Sequence, residues 1–181
     1  RDAQESRGLG DVYKRQALGT MLTSCGASVS TATVTGPAAY VDPYIGSGGH
    51  GHVFVGASVP FGAIQAGPQN IHKGWDWCSG YHHSDSIVIG FAHTHLSGTG
   101  CTDMGDVQIM PYTGELRSKR GRQEDIGGSC SSYYSHDNES VSPGYYSLKM
   151  DNGVQIEMTA STRTALHRFA KAWTSRNWNS S

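Results

Sequence analysis

Tyr145–Ser161 reads YYSLKM-DNG-VQIEMTAS, and this stretch decides the fold. Two runs, Tyr145–Met150 and Val154–Ser161, alternate apolar and polar residues around Asp151-Asn152-Gly153. Alternation with period 2 puts one face of each run in a core and the other in solvent. Asn-Gly between two such runs is a strong hairpin signal, since a tight two-residue turn asks for positive φ at both positions. Outward from the hairpin, Thr164–Phe169 (TALHRF) alternates again, and upstream Ser86–His93 (SIVIGFAH) and Asp106–Tyr112 (DVQIMPY) read as further short strands. Between them, Ser118–Ser142 is polar and rich in Gly and Ser, and reads as a long surface excursion. Repeated short strands without 3.6-residue periodicity predict a mainly β protein, an antiparallel β-sandwich that is the N-terminal part of a larger one.

Composition agrees. The 181 residues hold 24 glycines, with 36% hydrophobic and 9% aromatic content, which suits a loop-rich β domain better than a helical bundle. The net charge of −1 comes from interspersed acids and bases, so no basic face for nucleic acid is expected. No apolar run approaches the roughly 20 residues of a membrane span. The folded body is expected over residues 40–169. Residues 1–16 resemble translated linker sequence and are set aside as foreign to the fold. Residues 17–39 read as a signal-peptide remnant, with a relaxed lipobox at Leu22–Cys25, followed by a small-residue tether. On that reading Cys25 carries the lipid anchor, the membrane is touched only through it, and the protein sits in a bacterial envelope (periplasm or outer-membrane lipoprotein) or is secreted. Residues 170–181 lose the alternation and expose Trp173 and Trp178, the mark of an irregular tail.

The chemistry-bearing residues are concentrated. Seven of nine histidines lie between His50 and His95, six of them in three glycine-rich loops: Gly46–Val53 (GSGGHGHV), Lys73–Ser84 (KGWDWCSGYHHS) and His93–Asp106 (HTHLSGTGCTDMGD). Loops hung on strands at one rim make a binding site. In Trp75-Asp76-Trp77 an indole offers a flat apolar face on which the C–H face of a sugar can stack, while a carboxylate takes hydroxyls; equally, one Trp caps a core and the other packs a loop. His50-Gly51-His52 and His93-Thr94-His95 present alternate side chains on one face if extended, as a zinc or copper pair does, or simply bond the backbone. Gly46–Gly49 lacks a P-loop lysine, and Asp103 and Asp106 have nothing that assigns them acid/base roles. Four cysteines (Cys25, Cys78, Cys101 and Cys130) allow three pairings, with Cys78–Cys101 a candidate.

Val41–Phe61 (VDPYIGSGGHGHVFVGASVPF), Gly74–Tyr81 (GWDWCSGY) and Ile89–Asp106 (IGFAHTHLSGTGCTDMGD) together resemble the opening of glycoside hydrolase family 92. The resemblance implies an inverting, Ca²⁺-dependent exo-α-mannosidase, often α-1,2-specific, that trims mannose-containing glycans such as N-glycans or mannan. It implies an N-terminal β-sandwich packed on a C-terminal (α/α)₆ barrel that carries the acid, the base and the calcium ligands. On this chain it implies no catalytic or metal residue. It does imply a substrate rim made by Trp75, Asp76, Trp77, Cys78, His93, His95, Gly48, Gly49 and His50, with Trp75 stacking on sugar. The expected function is the substrate-pocket domain of such an enzyme, inactive without its barrel. The alternatives are a non-catalytic glycan-binding module and a histidine-based metal-binding protein.

Overall fold

The computed structural model describes residues 35–102, 104–113, 115 and 129–171. All but Thr35 belong to one compact unit, Gly36–Ser181. The expected leader with Cys25 and the expected tether up to residue 34, together with Asp103, the excursion up to residue 128, and Trp173 and Trp178, lie outside the described residues; the end of that tether runs into a 3₁₀ helix, Gly36–Tyr40.

Among the described residues, eight strands form two antiparallel sheets. Strands β1 (Ala57–Ser58), β2 (Gln65–Asn70), β3 (Ile87–Ala92) and β4 (Ser132–Tyr133) are neighbours in that order, as are β5 (Glu139–Ser142), β6 (Tyr145–Lys149), β7 (Val154–Ala160) and β8 (Ala165–Lys171). This is the mainly β, antiparallel architecture expected, and it is consistent with an incomplete sandwich. Alternation builds the core. Tyr146 and Leu148 of β6 and Val154, Ile156 and Met158 of β7 point inward, against Ala57, Ala66, Val88 and Phe91 of the first sheet. Phe91 and Tyr146 meet across the sheets with ring centroids 6.4 Å apart. Each fully buried aliphatic or aromatic side chain stabilises by about 1.5–3 kcal/mol through the water it leaves. Strand β8 pairs with β7 from Ala165↔Ala160 to Lys171↔Val154, yet none of its residues is buried.

The central hairpin has a different turn from the one the Asn-Gly signal predicts. Lys149 pairs with Gln155, Met150 N–H donates to the Val154 carbonyl, and Gly153 N–H donates to Met150. Of the loop residues only Gly153 takes positive φ, at 83°. This is a three-residue loop in which the glycine occupies the left-handed position after a turn. The Asn152 side chain accepts from Val154 N–H, which fixes the loop from within.

Two further expectations are corrected. The supposed surface excursion contains β4, β5 and the buried residues Tyr134 and Glu139, because hydrogen bonds rather than apolar alternation hold that segment inside. Asp106–Tyr112 is not a strand; only Ile109 bridges to the backbone, at Phe91, and Val107 sits exposed at φ 51°. Strand β2 (QAGPQN) carries no strand signal at all, since Pro68 lacks an N–H and Gly67 lacks a side chain. It is tolerated because Phe91, opposite Pro68, sends both its backbone hydrogen bonds to Ile109 on the other side. Gly67 is required by closeness, as a Cβ there would collide with the Val55 carbonyl.

Candidate functional site: a tryptophan rim between three loops

The three glycine-rich loops converge. Gly98 N–H donates to the His52 carbonyl at 2.6 Å and Phe54 N–H to Ser97 Oγ at 3.0 Å, tying the first loop to the third. His83 N–H donates to the Ser47 carbonyl at 2.8 Å, tying the first to the second. Trp75–Trp77 is a single 3₁₀ turn entered through Gly74 at φ 146°. That turn throws its two indoles into different surroundings.

Trp75 remains 60% exposed. Its Nε1 donates to the Gly100 carbonyl at 2.8 Å, and Gly100, at φ 74°, lies so close that a Cβ would come 3.0 Å from the indole nitrogen. The His52 ring meets Trp75 edge-on, with centroids 4.1 Å apart. The ring is therefore pinned at its polar edge and braced on one side, with apolar surface left to solvent. Beside it, Asp76 Oδ1 takes the His50 Nδ1 contact at 2.6 Å and lies 3.5 Å from His52 Nε2. The bond from His50 holds the Asp76 carboxyl below its ordinary range. His50 is exposed, and His52 is buried at φ 54°, a backbone that breaks the extended pair expected for His50-Gly51-His52.

Trp77 is a brace. Its Nε1 donates to Asp85 Oδ2 at 2.9 Å, its ring stacks on His82 at 4.3 Å, and Lys73 Nζ reaches the same Asp85 oxygen at 3.0 Å. Buried Asp85 also accepts the Ser86 and Ile87 N–H groups on Oδ1. His82 in turn contacts the Gly49 carbonyl at 3.2 Å, so Gly49 serves through its backbone, while Gly48 is exposed. Cys78 is buried, and burial pushes its thiol pKa up. Cys78 and Cys101 are both free thiols, so the candidate disulfide is not formed.

The His93-Thr94-His95 pair also separates. His95 is buried and stacked on Phe54, with Nδ1 at 2.8 Å from the Gln65 carbonyl; burial lowers its pKa and keeps it neutral. His93 turns to Val107 and to His167 of β8, Nε2 to Nε2 at 3.1 Å. Among the sequence-selected residues, then, Trp75, Asp76 and His50 come together at an open surface. Trp77, Cys78 and His95 line an adjoining cavity of about 430 Å³ with Gln69, Asn70 and His72. Sequence reasoning put the His93–Gly100 stretch along the rim and Asp85 in the same window but singled out neither Gly100 nor Asp85 as a partner of the indoles, since these contacts come from loop positions 25 and 8 residues away. Among the described residues no group of three His, Cys, Asp or Glu side chains is placed to hold a metal ion. A Ca²⁺ site needs about six to eight oxygens, and the described residues do not fit one.

The small antiparallel β domain thus offers a pinned, solvent-facing indole flanked by a carboxylate and imidazoles. The glycosyl hydrolase family 92 N-terminal domain matches residues 40–176, and the chain belongs to that family. It is 32% identical over 139 residues to an uncharacterized secreted glycosidase of Arthroderma benhamiae, covering 72% of this chain and 17% of that protein. A family 92 α-mannosidase from Bacteroides thetaiotaomicron, solved also with mannoimidazole, superposes with a TM-score of 0.70 at 43% identity, over 73% of this chain and 18% of that one. An inverting mannosidase of the same family and organism superposes at 0.56 with 26% identity, over 74% and 18%. The chain thus spans under one fifth of the length of these relatives.

Proposed function

We propose that this chain forms the substrate-lining wall of an inverting exo-α-mannosidase, with Trp75 as the sugar platform and Asp76 and His50 as hydroxyl partners. The observation that carries this is the Trp75 indole. Its N–H is already used on Gly100 and its surface is still exposed, so what it offers a ligand is an apolar face. The low carboxyl pKa of Asp76 keeps it an acceptor for sugar hydroxyls across the neutral range. The names of the Bacteroides relatives support mannose-containing glycans as the ligand class. The finer assignments of an α-1,2 linkage and of N-glycans or mannan as substrate belong to the same proposal.

The wall binds and orients; it does not break the bond. Inversion needs two carboxyls roughly 6.5–9.5 Å apart, one free to protonate the leaving group and one to activate water. At this rim Asp76 is held by His50, and Asp85 is buried under Lys73 and Trp77. The acid, the base and the Ca²⁺ of the family are therefore assigned to a C-terminal (α/α)₆ barrel of a longer enzyme, and no step here runs through calcium. Export, with Cys25 lipidated, extends the proposal to location; mass spectrometry of the membrane-extracted protein checks the acyl groups.

The test is calorimetric titration of the chain with methyl α-mannoside, with methyl α-galactoside as control, beside an assay of mannose release. Selective mannoside binding that Trp75→Ala abolishes, without release, supports the proposal. Equal binding of both sugars, or wild-type affinity in Trp75→Ala, overturns the platform. Mannose release by the 181-residue chain overturns the division of labour.

A further inference from the structure

Glu139 opens β5 with its side chain wholly buried. A buried carboxylate is costly unless its oxygens are filled, and an apolar residue of similar size is often at least as stable. Stability alone is therefore a weak reason for this residue. What distinguishes it is where its donors come from. Oε1 accepts from Tyr146 OH of β6 at 2.7 Å. Oε2 accepts from Tyr81 OH at 3.0 Å and meets His136 Nδ1 at 2.7 Å. Burial, and then the charge of Glu139, pushes the phenol pKa values of Tyr81 and Tyr146 up, so both stay donors.

Two routes lead from this carboxylate to the rim. Tyr81 precedes His82, which stacks on Trp77 and reaches the Gly49 carbonyl. His136 stacks on His83 at 4.3 Å, and His83 meets Tyr44 at 5.2 Å. The Tyr44 carbonyl accepts both the amide and the hydroxyl of Ser47, whose own carbonyl takes His83 N–H. The loop that carries His50 and the loop that carries Trp75 are thus fastened to the same buried oxygens of the second sheet.

We propose that Glu139 is a positioning residue for the glycan rim, fixing both loops through Tyr81 and through the His136–His83–Tyr44 column. This rests on reading the rim as a sugar site. Tyr81→Phe and Tyr146→Phe provide the test, since each removes one hydroxyl donor from the same carboxylate, but only Tyr81 belongs to a rim loop. Tyr81→Phe is expected to weaken methyl α-mannoside binding about fivefold, roughly one hydrogen bond's worth of loop order, and to change the near-UV circular dichroism of the tryptophans. Tyr146→Phe is expected to lower the melting temperature with binding within about twofold of wild type. Glu139→Gln keeps an oxygen for Tyr81 and His136 and should bind nearly as wild type, whereas Glu139→Leu should not. Equal losses in the two tyrosine variants, or wild-type affinity and spectrum in Tyr81→Phe, overturn the proposal. If the wild-type chain binds no mannoside, the sugar reading fails by itself, and the tryptophan spectra still decide: a change in Tyr81→Phe but not in Tyr146→Phe supports positioning, and matching spectra refute it.

Discussion

Replacing Asp85 by alanine should unhook the loop that carries the two indoles from β3. The side chain is buried, and its two oxygens serve four donors: Trp77 Nε1 at 2.9 Å, Lys73 Nζ at 3.0 Å, Ser86 N at 2.8 Å and Ile87 N at 3.1 Å. Lys73 is partly exposed and can rehydrate, so its ion pair adds at most about 1 kcal/mol. Ser86 is exposed, and water can replace its partner. The buried Ile87 amide and the half-buried Trp77 N–H have no such recourse, and each orphaned donor costs about 1–2 kcal/mol. Asp85→Ala is therefore expected to destabilise by about 2–4 kcal/mol. At about 3–4 °C per kcal/mol for a domain of this size, the melting temperature falls by about 6–16 °C. Asp85→Asn keeps one carbonyl oxygen and should lose about half as much. Urea denaturation followed by tryptophan fluorescence and by far-UV circular dichroism measures both variants. An Asp85→Ala loss under about 0.5 kcal/mol, or equal losses for alanine and asparagine, would refute the assignment of Asp85 as the acceptor hub.

Other outcomes follow from the same geometry. Leu148→Ala opens a cavity between the sheets and should cost about 2–5 kcal/mol in chemical denaturation. The buried imidazole of His95 has its pKa lowered below 6.5, and that of His167 is lowered by burial and by His93. Unfolding then takes up protons, so stability holds above pH 6.5 and declines as pH falls below it. His95→Gln should flatten that decline in melts run from pH 7 down to pH 5. His50→Ala removes the main cause of the low Asp76 pKa, so carboxyl NMR should show its titration midpoint moving up. Gly100→Ala pushes a methyl against Trp75 and forces a left-handed backbone on alanine, and should alter tryptophan emission.

The β6–β7 hairpin and β8 were legible because their signal is local: period-2 alternation with turn residues between. The rim loops were legible as a cluster, since the Gly-rich stretches carry His50, Trp75 and Asp76 in dense motifs. Strand β2 was not, because Gly67 and Pro68 are permitted there only by the approach of Val55 and the sideways bonding of Phe91. Strand β5 was hidden in a polar stretch, since Glu139 is buried by virtue of tyrosines from elsewhere in the chain. The division of roles inside Trp75-Asp76-Trp77 was likewise open in the sequence. Two indoles two residues apart have the same intrinsic chemistry; Gly100 and His52 leave one facing solvent, and Asp85 and His82 fold the other in. Sequence by itself determined the strands with periodic faces and the clustering of the glycine-rich rim loops. Which indole faces solvent and which holds the loop was decided by long-range partners, whose positions exist only once the two sheets have closed.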